Sequence, residues 1–247
     1  MDSCRKVTID GFNEFLRKQK AVKGEGTITL VQFDDNYEVN YEFLPLQNAP
    51  LLNEDTYQPR GMTALLDAIG RTIDSTGKRL AAMPEDKRPF RVIFVIQTDG
   101  LENASSEYVQ PEPPVTYSTV GGNIVALGNI QHFDKAARVR AMVEHQRDRY
   151  NWDFIVLGAG QNAVLEAQKM GINAKSALTY DTSNSTSAFA SAGVYTTSYR
   201  CAVGEQEARL CAFSDEDRAS AVSPTSNSTD ASKTKKTVAR SKVTTTV

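Results

Sequence analysis

The 247-residue chain is poor in cysteine, histidine, tryptophan and net charge. Its three cysteines, Cys4, Cys201 and Cys211, form no CxxC pair, which excludes a disulfide framework and a cysteine-ligated zinc cluster. Its two histidines, His132 and His145, match no zinc or triad spacing. With 28 basic and 30 acidic residues, the net charge of -2 disfavours a dedicated nucleic-acid binder. No apolar run approaches the roughly 20 residues that span a bilayer. The start, MDSCRKVTID, lacks the apolar centre of a signal peptide. Nucleophile elbow, P-loop lysine and histidine-based triad are all missing. These absences point to a cytoplasmic protein in a reducing compartment, with no membrane partner and no enzymatic activity.

What is present divides the chain in two. Residues 1–213 alternate helical and strand patterns; residues 214–247 hold seven Ser, seven Thr and no aromatic residue. Such a segment buries too little apolar area to offset its ordering entropy, so a disordered tail is expected from Ser214. Its end, from Lys233, carries five cations and no acid, the one feature that would suit an acidic partner or nucleic acid.

Before the tail, Arg5 to Lys20 has helical apolar spacing through Val7, Phe12, Phe15 and Leu16. TITLVQF (27–33) reads as a strand, and NYEVNYEF (36–43) as a half-buried strand returning through a hairpin. Leu44 to Gly61 reads as a loop and Met62 to Met83 as a helix with Leu65, Leu66, Ile69, Ile73 and Leu80 on its apolar stripe. RVIFVIQ (91–97) and DFIVL (153–157) are continuous apolar runs, as in strands covered on both faces. Helices are expected over 134–150, 161–170 and 185–199, and a short strand over 177–180. This alternation predicts a doubly wound, mostly parallel α/β sheet flanked by helices.

Ligands of open α/β sheets bind at the carboxyl ends of the strands. Two stretches lie there. Thr98-Asp99-Gly100 follows RVIFVIQ and puts a carboxylate where a hard cation could sit. Gly61-Met62-Thr63 opens a helix, where the Thr63 hydroxyl could cap the helix or ligate a metal. One carboxylate and one hydroxyl are too few for octahedral Mg²⁺. Glu102 reads as a solvated loop carboxylate. A third stretch, Gly158-Ala159-Gly160-Gln161-Asn162-Ala163, fits the GxGxxA dinucleotide fingerprint between a strand and a helix. It lies late in the chain, with little sequence left to complete a cofactor domain.

Taken in order, RKVTIDGFNEFLRKQK, TITLVQFDD, GMTALLDAIG, VIFVIQTDGLENAS and FIVLGAGQNAVLEAQKMGI resemble a von Willebrand factor type A (VWA) domain of the stand-alone intracellular kind found in bacteria and phages. The resemblance spans nearly all of residues 1–199. It implies a Rossmann-like fold and a non-enzymatic protein-binding module with a metal-ion-dependent adhesion site for Mg²⁺ or Mn²⁺. It maps the second-loop Thr to Thr63 and the third-loop Asp to Asp99. An acidic residue of a protein partner would complete the coordination.

The first-loop motif of that family, Asp-x-Ser-x-Ser, does not occur here. Met1 aligns just after it, so the resemblance implies that the first central strand is missing between the strands at 27–33 and 91–97. The metal site would be partial without residues upstream of Met1, and a start codon placed too late is the expectation that follows. The rival is a metal-free structural or degenerate VWA domain; dinucleotide binding through Gly158 and Gly160 ranks below both. Tyr108 to His132, with Pro111, Pro113, Pro114, Gly121 and Gly122, reads as an insertion near the metal face.

Overall fold

A strand buried on both faces must place alternate side chains into two different cores. The two apolar runs do so here. Ile93 and Val95 with Ile155 and Leu157 enter one core, whereas Phe94 and Ile96 with Phe154 and Val156 enter another. The computed structural model describes residues 2–59, 61–110, 117–120, 123–126, 134–160, 162–222 and 241–246.

The elements in chain order are α1 (Asp2–Ala21), β1 (Thr27–Phe33), β2 (Tyr37–Pro45), α2 (Leu65–Ala82), β3 (Ile93–Thr98), β4 (Tyr117–Val120), β5 (Asn123–Ala126), α3 (Ala137–Tyr150), β6 (Asp153–Ala159), α4 (Ala163–Lys169), β7 (Ala177–Tyr180), α5 (Ser185–Cys201), α6 (Glu205–Arg209), α7 (Asp215–Ala221) and β8 (Ser241–Thr246). The architecture is mixed α/β. The main sheet has the order β2-β1-β8-β3-β6-β7. β3, β6 and β7 are parallel neighbours, from Ile93 opposite Asp153 to Thr98 opposite Gly158. β2 is antiparallel to β1, and β8 is antiparallel to both β1 and β3. It follows that β1 points the same way as β3.

Helices cover both faces. On one, Phe12, Phe15 and Leu16 of α1 and Ala188, Phe189 and Ala192 of α5 close over the sheet. A Cβ on Gly11 would stand 2.5 Å from the Phe189 ring, so glycine lets α1 approach α5. On the other face, Leu65, Ile69 and Ile73 of α2, Val139 and Val143 of α3, and Ala163 and Ala167 of α4 form the second core. Each large apolar side chain removed from water in this way contributes about 1.5–3 kcal/mol.

Two expectations are corrected, and a third region gains detail. The slot between β1 and β3 is not left open: β8 fills it from the far end of the chain, antiparallel rather than parallel. Two strand edges inside apolar layers need partners for their amides and carbonyls. SKVTTT, rich in β-branched residues, is a segment that can extend and pair. The expected tail is also ordered at α7, where a Ser214–Asp217 capping box starts the helix. Arg218 Nη1 donates to Ala177 O at 2.8 Å and Asp181 N to Ala221 O at 3.0 Å, which docks α7 on β7. Ala221 is fully buried, so the described structure continues past Phe213. Finally, the Pro- and Gly-rich stretch holds the β4–β5 ribbon. The remainder of that stretch, residues 223–240 of the tail, Met1 and Gln161 lie outside the described residues.

Candidate functional site

Three loops meet at the carboxyl ends of β1 and β3. The first follows β1, where buried Asp34 accepts the Asn36 amide on Oδ1 at 2.7 Å. Its carbonyl accepts the Ala64 amide at 2.7 Å, tying this loop to the second. The second loop carries Thr63, which is fully buried. Asn103 clamps it from the third loop: Thr63 N donates to Asn103 Oδ1 at 2.8 Å, and Asn103 N returns to Thr63 O at 3.0 Å. Ala104 N donates to the same carbonyl at 3.1 Å. The structure thus brings the Thr63 loop against the loop that holds Asp99. Asp99 itself is half-buried, with Oδ1 withdrawn from solvent.

The helix expected from Met62 starts at Leu65, with Ala64 as its N-cap, whose side chain makes no capping hydrogen bond. The cap comes from the third loop instead. Glu102 Oε2 accepts the Leu66 amide at 3.0 Å, and Ser105 Oγ accepts the Asp67 amide at 3.1 Å. A carboxylate there also complements the positive end of the helix. Glu102 further accepts Ser105 N at 2.8 Å, Ser105 Oγ at 2.6 Å and Lys135 Nζ at 3.0 Å. Its side chain is only 12% exposed, which corrects the reading of a solvated carboxylate.

Asp67, on the first turn of α2, is a residue that sequence reasoning missed. It accepts three successive loop amides, from Ser106 at 2.8 Å, Glu107 at 2.9 Å and Tyr108 at 2.7 Å. Tyr108 then lies across Gly70, where a Cβ would stand 2.1 Å from its ring. Burial, helped by the hydrogen bond to Asp74, pushes the Tyr108 hydroxyl up to about 12. The signal was present in sequence as a helix start without its own cap, facing a loop rich in Ser, Glu and Asn. The pairing between them is long-range and therefore hidden.

A hard divalent cation needs about six oxygen ligands. Among the described residues, no group of three or more His, Cys, Asp or Glu side chains could hold a metal ion. Glu102 and Asp67 lie nearby in the chain's fold but are committed to amide donors. Thr63 and Asp99 alone do not fit a complete Mg²⁺ or Mn²⁺ shell.

The GxGxxA stretch has its own geometry. Gly158 lies inside β6, paired with Thr98 and Thr179. Gly160 has φ 62°, and a Cβ there would meet nothing within 4 Å. The left-handed backbone conformation by itself favours glycine at 160. Asn162 caps the seven-residue α4 with its own side chain, accepting Leu165 N at 3.1 Å.

No described helix is long and apolar enough to cross a membrane. No family model matches the chain, and neither a curated protein nor a solved structure matches it.

Proposed function

We propose that this chain is a non-enzymatic protein-binding module resembling a VWA domain, with its contact surface on the loops at 34–36, 61–64 and 98–105. The observation that carries the reading is the Asn103 clamp, which holds Thr63 against the Asp99 loop at the carboxyl ends of β1 and β3. A doubly wound arrangement belongs to the same reading. It is supported by the common direction of β1, β3, β6 and β7 and by helices on both faces. Thr63 and Asp99 would hold Mg²⁺ or Mn²⁺ as a partial site, and an acidic residue of a protein partner would complete it.

A second reading, a metal-free structural domain of the same kind, is favoured by the commitment of Glu102 and Asp67 to amides. Mn²⁺ titration of the full chain, followed by electron paramagnetic resonance, separates the two. The metal-assisted reading expects saturable binding that Asp99→Ala weakens by about tenfold or more. The metal-free reading expects no saturable binding, with Asp99→Ala altering thermal stability alone.

A further inference from the structure

Between the end of α5 and Phe213 the chain forms a strap, residues 202–212, that carries the five-residue α6. Its start is bonded to Arg91, two residues before β3, and its end to Lys175, two before β7. It therefore runs across the amino ends of β3, β6 and β7, which are neighbours in the sheet. Ala208 is its one fully buried side chain, and Ala202 and Cys211 pack on the core only in part. Val203 and Leu210 stand 88% and 80% exposed. The hydrophobic effect thus does little to hold the strap down.

What holds it is polar. Arg91 Nη2 donates to Ala202 O at 2.9 Å and Gly204 O at 3.0 Å. Lys175 Nζ donates to Arg209 O. Between these two clasps, Asn151 donates from Nδ2 to Glu205 at 2.7 Å and accepts Arg209 at 3.2 Å. An exposed hydrogen bond of this kind shifts an equilibrium by roughly tenfold at most. The ends of the strap differ from its middle. Phe213 is buried against the Tyr195 ring, and its amide donates to Lys175 O at 2.9 Å. Near the other end, Gly204 has φ 92° and open space where a Cβ would stand, so the backbone can swivel there. Glu205, Ala208 and Arg209 of the strap line a cavity of about 470 Å³ that Trp152, Tyr195 and Tyr199 also line.

We propose that residues 202–212 are a latched lid, which leaves the amino end of the sheet as one unit while α5 and Phe213 stay in place, and so widens the way into the aromatic-walled cavity. Arg91, Asn151 and Lys175 are the latch. A segment opens apart from the rest of a protein when it has few buried apolar contacts and hydrogen bonds near solvent. The strap has both properties. β3 and β6 have neither, because their side chains fill both cores, and they open only with the whole fold. Once released, α6 unravels, since five residues are too few to persist as a helix in water. The lid lies at the opposite end of the sheet from the loops at 34–36, 61–64 and 98–105, and it does not depend on what those loops bind.

Native-state amide exchange of the full chain, in a urea series below the unfolding transition, tests the lid. The reporters are the amides of Ala208, Leu210 and Cys211, each bonded to a carbonyl within the strap. They are expected to exchange at least about a hundredfold faster than the amides of β3 and β6, at rates that urea barely changes, because the opening exposes little surface. Lys175→Met, which keeps the stem, and Asn151→Gly, which suits the left-handed backbone there, each remove one part of the latch. Each should speed the reporters by roughly three- to tenfold and leave β3 and β6 unchanged. Trp152, the one tryptophan, lies on the cavity wall, so acrylamide should quench it more strongly in both variants. Reporters that follow urea with the same slope as β6 would mean that the strap opens only by global unfolding, and would overturn the proposal. Unchanged exchange in both variants would remove the latch, and unchanged Trp152 quenching would remove the access to the cavity; either result overturns it as well. The wild-type urea series decides even where a variant does not fold.

Discussion

The two ends of the sheet treat buried carboxylates in opposite ways. At the carboxyl end, Asp67 and Glu102 are saturated by backbone amides, a serine hydroxyl and Lys135. At the amino end, Asp153 keeps one buried oxygen without a partner beside an open cavity. A carboxylate that accepts two or three amides fastens a loop, and its ionised form stabilises the fold. One that is desolvated without full compensation does the reverse. The carboxyl end thus fastens its loops through Asp67 and Glu102, whereas Asp153 at the amino end is desolvated with its lowering contacts outweighed.

The largest effect is expected at the saturated end. Asp67→Ala would strand three amides in a part-buried loop, at a loss of about 3–4 kcal/mol of unfolding free energy. Asp67→Asn should recover part of this, since its oxygen still accepts. Denaturant titration of both variants measures the difference. A loss below about 1 kcal/mol for Asp67→Ala would mean that the 105–108 loop is not fastened through this residue, and the contrast between the ends would fail.

At the other end the sign reverses. Burial raises the Asp153 carboxyl from its ordinary 3.8 to about 6, against smaller lowering contributions from Tyr195, the Phe154 amide, Lys175 and Arg91. Below about pH 4 the group is protonated folded and unfolded, and it adds no pH dependence. Between 3.8 and 6 the folded chain keeps a proton that the unfolded chain has released, so stability falls as pH rises. Above 6 the whole cost is present, about 3 kcal/mol at roughly 1.4 kcal/mol per pKa unit. Asp153→Asn should therefore stabilise the protein at pH 7.5 by about this amount and have little effect at pH 3.5. Thermal melts at the two pH values check it.

The sequence revealed these regions unequally. RVIFVIQ and DFIVL announce buried strands, and α1 follows from local periodicity, because each depends on spacing within one segment. The start of α2 was displaced to Met62 because its cap is supplied by Glu102 and Ser105 from another loop. The β-branched residues of SKVTTT suit an extended strand, but nothing local places that strand at the centre of a sheet. It has a place only because β1 and β3 leave a slot, and that slot is a property of the whole sheet. Asp153 reads as the polar first residue of a strand. Only the packing of Trp152, α5 and α6 around it turns that position into a buried carboxylate at a cavity. Thr63 and Asp99 were visible as strand-end residues, while the Asn103 clamp that brings their loops together was not.

The smallest effect extends the contrast to the segment first read as tail. Asp217 is desolvated as it packs under α5, which alone would raise its carboxyl. Hydrogen bonds from Ser191 and from the Ser214 amide and hydroxyl outweigh this and hold it below its ordinary value. Its sign is opposite to that of Asp153: the stabilisation is present at neutral pH and disappears as pH falls through the lowered folded value. The side chain is partly exposed, so solvent screening keeps the contribution near that of a helix cap, about 0.5–1 kcal/mol. Asp217→Asn should destabilise the protein by this small amount at pH 7.5 and by nothing measurable in strong acid. It should also speed amide exchange at Asp181, whose N–H is held by the last residue of α7. If exchange at Asp181 is unchanged, α7 is held on β7 by the Arg218 bonds to Ala177 and Ala174 and not by its cap.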